Sequence, residues 1–322
     1  MRTTTLLLCL TLGAFSIDAH AQGCSDAGAC TAGPIGELHM GDSTSTDDAR
    51  HFARLGFSIA GGEQSTSILQ VVPEIGFGIT DRFGVQLKVP YISASGKLGD
   101  NSGVGDPTFT ASYAFIKERN QRLDAIVGVK VNANNADAST TEGLSLPMPY
   151  QTSLGTTDLL LGVNYRRGRI SVALAYQHVL SNQNENGFFG PEGIDSLDAI
   201  GYFSSARLVR ANDAVARVQY AIPIGKLVVQ PGLLAINHLQ MDSELIVPQG
   251  GGSVGPTNTT PQRVDVTGSG GLTLNLTVDA RYPLNDHLSL EAAYGSPLVV
   301  RETRPDGLTR SFVLTVGLRY AF

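Results

Sequence analysis

The last eleven residues, Phe312-Val313-Leu314-Thr315-Val316-Gly317-Leu318-Arg319-Tyr320-Ala321-Phe322, carry the pattern that decides the fold. Successive side chains of an extended strand point to opposite faces. Phe312, Leu314, Val316, Leu318, Tyr320 and Phe322 therefore share one face, and Thr315, Gly317, Arg319 and Ala321 share the other. Upstream the same period returns. Leu69, Val71, Pro73, Ile75, Phe77 and Ile79 alternate with residues that include Gln70, Glu74, Gly76 and Thr80, and Phe83, Val85, Leu87, Val89 and Tyr91 alternate with Gly84, Gln86 and Lys88. After residue 50 no segment reaches the 18 or so apolar residues of a membrane helix, and none sustains a helical period.

Counting such runs predicts twelve strands, at about 51–60, 67–79, 83–93, 106–116, 122–133, 156–166, 170–180, 213–222, 226–238, 269–282, 287–298 and 310–322. Tight turns at 80–82, 117–121, 167–169, 223–225 and 283–286 alternate with longer polar segments at 94–105, 134–155, 181–212, 239–268 and 299–309. The first link, 61–66, is a short exception. An even strand count with short turns on one side and long loops on the other marks an all-β fold, a transmembrane antiparallel up-and-down β-barrel with periplasmic turns and extracellular loops. Lipid offers backbone groups no partners, so a sheet can span a membrane only by closing on itself. That topology puts Phe83, Tyr113, Phe115, Tyr165, Tyr220, Tyr282, Tyr320 and Phe322 near one interface and Tyr91, Tyr176 and Tyr294 near the other, as aromatic girdles require. A secreted β-sandwich would also alternate, but it needs neither a terminal aromatic strand nor this alternation of turn lengths.

Composition agrees. The chain has 322 residues, 42% hydrophobic and only 16% charged, with 37 glycines and no tryptophan, against about 25% charge in a typical soluble protein. The 23 basic and 29 acidic residues give a net charge of −6, which argues against a nucleic-acid partner. Charge is scarce because alternate strand positions face lipid, and the mean hydropathy of +0.03 averages two unlike faces.

Residues 1–21 read as a cleaved secretory signal: Arg2, an apolar run from Leu6 to Phe15, then Ala19-His20-Ala21 as the cleavage site near Ala21. The expected location is the outer membrane of a Gram-negative cell. Cys9 leaves with the signal. Residues 22–50 form a tail, either a flexible periplasmic lead or a lumen plug, and residues 51–322 the barrel. Cys24 and Cys30 suit a small disulfide loop better than a metal site in an oxidising compartment. A lipoprotein site at Cys24 lacks the large aliphatic residue before it.

The stretch Ile79-Thr80-Asp81-Arg82-Phe83, then Val85-Gln86-Leu87-Lys88-Val89-Pro90-Tyr91 and Gly103-Val104-Gly105-Asp106-Pro107-Thr108, resembles a family of outer-membrane barrels linked to the meta-cleavage (MetA) pathway of phenol degradation. A second Gly-x-x-Asp, Gly155 to Asp158, fits the same pattern. The resemblance runs from about residue 67 to 322 and excludes the Cys24–Cys30 segment. Members are described as transporters, so the resemblance implies passage of small, hydrophobic or aromatic organic molecules.

Parity places Arg54, Lys88, Lys130, Arg166, Arg217, Arg281 and Arg319 on the inward face with Glu74, Asp106, Asp124, Asp158, Asp279 and Glu291. Seven cations against six anions predict cross-strand pairing and no strong ion selectivity. Twelve strands fall between the 8 that side chains fill and the 16–18 that leave a wide channel, so a narrow or plugged pore follows. Phe188 and Phe189 are the candidate residues of the extracellular mouth. Tyr320 and Phe322 are the candidate signal to the barrel-assembly machinery, which with membrane lipid and a small solute completes the expected partners. His238 is read as a polar residue near the outer rim.

Other chemistry fits less well. Tyr176-Gln177-His178-Val179-Leu180-Ser181-Asn182 is similar to a lipid-hydrolase motif, but His178 and Ser181 are three apart and point to opposite sides of a strand. Asp42, Asp47 and Asp48 lack the spacing of a calcium loop, and Gly250-Gly251-Gly252 precedes no helix that could cradle phosphate. No catalytic residue, metal or cofactor is expected. The reading is a passive outer-membrane channel, against a structural or adhesive barrel with an occluded lumen and, more remotely, a lipid hydrolase.

Overall fold

A computed structural model describes residues 51–190, 197–246, 260–308 and 310–322. The predicted signal, the tail with Cys24 and Cys30, Asp42, Asp47, Asp48 and Gly250 to Gly252 lie outside these residues. Seventeen strands are described: β1 (His51–Gly61), β2 (Ser67–Gly78), β3 (Phe83–Lys88), β4 (Tyr91–Gly96), β5 (Gly99–Val104), β6 (Thr108–Glu118), β7 (Gln121–Lys130), β8 (Thr156–Arg167), β9 (Ile170–Asn182), β10 (Asp213–Tyr220), β11 (Ile222–Ile224), β12 (Leu227–His238), β13 (Ser243–Ile246), β14 (Gln262–Asp265), β15 (Gly271–Pro283), β16 (Leu288–Val299) and β17 (Phe312–Ala321).

Twelve of them close a ring in the order β1-β17-β16-β15-β12-β10-β9-β8-β7-β6-β3-β2, with β2 returning to β1. Every pairing is antiparallel, and the ring shuts where β1 runs against β17 from Phe52↔Ala321 to Gly61↔Phe312. A strand of thirteen residues, as β9 and β15 are, is about 44 Å long at 3.4 Å per residue; tilted by about 40° it rises about 34 Å, enough for the ~30 Å hydrocarbon core.

The outer face shows the predicted alternation. Leu55, Phe57, Ile59, Leu69, Val127, Leu161, Leu174, Val218, Leu233, Leu276, Leu314, Val316 and Leu318 are all exposed. A continuous belt of large apolar side chains has no place in water and marks the lipid face. The aromatics behave likewise: Phe83 lies opposite Tyr113, Tyr113 packs on Phe115 with centroids 5.0 Å apart, and Tyr320 stacks on Phe322 at 6.1 Å.

One expected loop is absent. Residues 94–105, read as a long polar connection, instead form the hairpin β4–β5, paired from Tyr91↔Val104 to Gly96↔Gly99. Its Ser/Gly-rich composition hides the period, since Ile92 and Ala94 alone carry apolar side chains to its buried face. Between β3 and β6 on one side and this hairpin on the other, Val89-Pro90 faces Gly105-Asp106-Pro107, two residues against three. That extra residue shifts the alternation and turns Asp106 inward.

Candidate functional site

The barrel interior is built from the inward residues of these strands. Arg54 is its hub. Its Nη1 lies 3.2 Å from Glu74 of β2 and its Nε 2.8 Å from Glu291 of β16. To reach Glu291 the guanidinium must pass over β17, and it does so at Gly317, where a Cβ would stand 3.3 Å from Nε. Glu74 also accepts from Gln86, while Asp279 accepts from Arg217 and Gln219. Arg281 donates to Ser289 at 3.3 Å and lies 3.9 Å from Glu291; Arg319 covers the Phe52 ring at 4.0 Å. Asp124 is bound by Arg122 at 2.8 Å, and in the register Arg122 stands beside Arg166. Nearer the loop end, Lys130 is buried between Asp106 and Asp158, each 3.0 Å away, and donates to Thr156 at 3.0 Å. Lys88, Asp106 and Lys130 line a small cavity with Arg310, Asp306, Gln151 and Leu308. Of the charged residues assigned by parity, Glu74, Asp124, Lys130, Asp158, Asp279, Arg281 and Glu291 are buried.

The lumen also has an apolar wall. Ile126, Gly162, Ala175, Val215 and Ile236 stand side by side across β7, β8, β9, β10 and β12. With Leu160, Ala173 and Leu234 the apolar members form one cluster. These inward positions carry no charge, so a reading that follows charged residues passes over them.

Loops fill the extracellular mouth. Inward-facing Ile68, Ile92, Ala94 and Val313 of the wall pack with Leu146, Tyr150, Phe188, Ala199 and Tyr202 from the segments between strands. Met148, Leu154, Leu208 and Leu308 form a second apolar knot with Ala136. Gly307, at φ +63, turns the chain so closely against Met148-Pro149 that a side chain would overlap their backbone. Tyr202 joins Thr66 at 2.9 Å and Tyr150 at 3.0 Å through its hydroxyl, and burial pushes its pKa up. The structure divides the predicted aromatic pair: Phe188 is buried in this plug, whereas Phe189 is exposed.

Behind the plug lies a charged network. His238 stands at the loop end of β12, as read, and is buried there: its Nδ1 is 2.5 Å from Asp213 Oδ1 and its Nε2 2.7 Å from Asp242 Oδ1. Arg210 reaches Asp213 at 2.6 Å and Asp306 at 3.4 Å, and Arg301 binds Asp306 at 2.8 Å. Burial alone would push the Asp306 carboxyl up, but the Arg301 and Arg210 guanidiniums outweigh it and hold it below the usual carboxylate range. Arg304 anchors on Glu63 at 3.2 Å. Parity could have found Asp213 and His238, which share faces with Arg217 and Ile236. In a chain poor in charge, the run Arg301-Glu302-Thr303-Arg304-Pro305-Asp306 was the remaining signal.

His178 stacks on Tyr176 at 6.1 Å on the outer face. The strand β9 continues past it to Asn182 with a register shift opposite Thr157/Asp158. Among the described residues no group of three or more His, Cys, Asp or Glu is arranged to hold a metal.

Among solved structures, an outer-membrane channel from Pseudomonas putida F1 is 17% identical with a TM-score of 0.55, covering 89% of this chain and 100% of its own. The fold is that of an outer-membrane β-barrel. The KdgM porin (9% identity, TM-score 0.41, covering 84% and 99%) and the CymD monoaromatic hydrocarbon channel (11%, 0.39, 85% and 89%) are more distant. Identity this low speaks for the fold alone. No family model matches the chain, and no curated protein does.

Proposed function

We propose that this chain is an outer-membrane channel for passive passage of small organic compounds, hydrophobic or aromatic in character, without cofactor or catalysis. The observation that carries the reading is the two-sided lumen. One wall presents Ile126, Ala175, Val215, Leu234 and Ile236, and across it stand Arg54, Glu74 and Glu291. A ring bearing a polar group can lie against the first wall and keep its polar group toward the second, so neither surface is left unmatched. A purely aqueous pore needs no such strip. The hydrophobic or aromatic preference also draws on the sequence resemblance, and the outer-membrane location on the fold, the apolar belt and the signal-like N-terminus.

The filled mouth favours a second reading, a structural barrel with a sealed lumen. Flux separates them. Purified protein in liposomes should pass a small phenol faster than a sugar of similar size, and Val215→Asn with Leu234→Asn should narrow that difference several-fold. No flux and no planar-bilayer conductance, even when the plug is loosened by removing residues 300–308, would leave the sealed barrel standing.

A further inference from the structure

The plug is tied to the wall at one place where the bonding pattern depends on a proton. His238 ends β12, and both of its ring nitrogens face carboxylates, Asp213 of β10 and Asp242 of the segment that follows β12. A neutral imidazole has one N–H and can donate to only one of them; two such contacts require the imidazolium. The surrounding charges make the same demand. Facing His238 are Arg210 and Asp213 from the β10 side, Asp242, and Arg301 and Asp306 from the segment after β16, with Asp158 of β8 acting on Arg210. With the imidazolium, the inner group holds three cations, His238, Arg210 and Arg301, against three anions, Asp213, Asp242 and Asp306. Without the proton it holds two against three, and a buried carboxylate is left uncompensated.

The same residues are what hold the plug segments down. Asp242 accepts from the Ala211 amide at 2.9 Å, its own amide donates to Ser269 at 2.8 Å, and Arg301 donates to the Ser269 carbonyl at 2.6 Å. Three loop segments therefore converge on one imidazole.

We infer that His238 is a proton-dependent latch: protonated, it pins the segments 208–213, 239–242 and 300–308 in the mouth, and its deprotonation releases them and opens the lumen. That inference rests on the channel reading for its consequence, but the latch itself can be read without conduction. Release should grow by up to about tenfold per pH unit once the proton begins to leave.

The experiment follows trypsin cleavage after Arg301 and Arg310 in the full-length protein in lipid, from pH 5.5 to 9, normalised to the exposed Arg263, with potassium chloride conductance measured in parallel. Wild type should become cleavable and conducting as pH rises. His238→Gln, a neutral residue at every pH, should be cleavable and conducting throughout. Glu63, which also sits against the plug, is controlled by Glu63→Gln, in which the rise should persist. Cleavage in wild type that does not change with pH overturns the latch whatever the conductance. So does a rise that survives His238→Gln and vanishes in Glu63→Gln. Cleavage that rises while neither wild type nor His238→Gln conducts at pH 9 upholds the latch and overturns the channel. Heat-shifted migration on gels verifies that the variant barrel has folded; if His238→Gln has not, Glu63→Gln decides, since a rise that persists without Glu63 upholds the latch and one that vanishes overturns it.

Discussion

Arg54 of β1 and Glu291 of β16 are joined at 2.8 Å although β17 runs between their strands, because Gly317 leaves the path across β17 open. The contact staples three neighbouring strands at the seam where the ring closes, and Glu74 extends it to β2. Removing one member of a buried ion network strands the others in low dielectric. Arg54→Ala should therefore cost about 3–5 kcal/mol, measured by urea unfolding in detergent. Pairing the change with Glu74→Gln and Glu291→Gln should recover much of that loss. Gly317→Val, which fills the path instead of removing the cation, should destabilise without altering any charge.

Glu63 gives the plug a second dependence on pH. Burial raises its pKa from the ordinary 4.5 to about 7, and Arg304 only partly offsets this. A carboxyl whose folded pKa is raised favours the folded state in its neutral form. Its contribution is complete below about pH 4.5 and is lost as pH rises through about 7. Thermal stability of the plug should fall between pH 5 and 8, and Glu63→Gln should remove a share on the order of 3 kcal/mol, read by calorimetry at both pH values.

Tyr202→Phe deletes the hydroxyl that links Thr66 to Tyr150 within the buried plug. Leaving buried polar partners without a bond costs about 1–3 kcal/mol. Protease susceptibility of the mouth should rise by roughly ten- to a hundredfold while the barrel stays intact, since no strand pairing is touched. Unchanged susceptibility would mean that the apolar packing of Phe188 and Leu146 suffices on its own.

Leu276 lies mid-strand on the outer face, opposite Leu233 of β12. Leu276→Arg should cost about 2–4 kcal/mol in lipid, measured as a shift in reversible unfolding in vesicles. In detergent micelles, which deform around a charge, the shift should be smaller.

The alternation of Phe312 to Phe322, and its repeats upstream, made the barrel and its strand count legible in the sequence. Two faces of one strand differ in the solvent they meet, and that difference is written every second residue. Residues 94–105 escaped this reading because serines and glycines stand where apolar residues would have shown the period, and the apolar face of the hairpin is limited to Ile92 and Ala94. The burial of His238 escaped it as well. Its parity pointed inward, but whether an inward histidine is wet or dry depends on segments far along the chain.

The amino-acid sequence by itself determined that this chain closes into a sheet with a lipid side and a polar side, because period two is a local property of extended backbone. It also set which charged residues share a parity along each strand. Only the tertiary structure decided how those charges are partnered, since Arg54 and Glu291 are 237 residues apart and meet across an intervening strand. The state of the mouth was likewise decided there. Loop composition is permissive, and Asp213, Asp242 and Asp306 become one buried site only when three separate connections fold into the same end of the barrel.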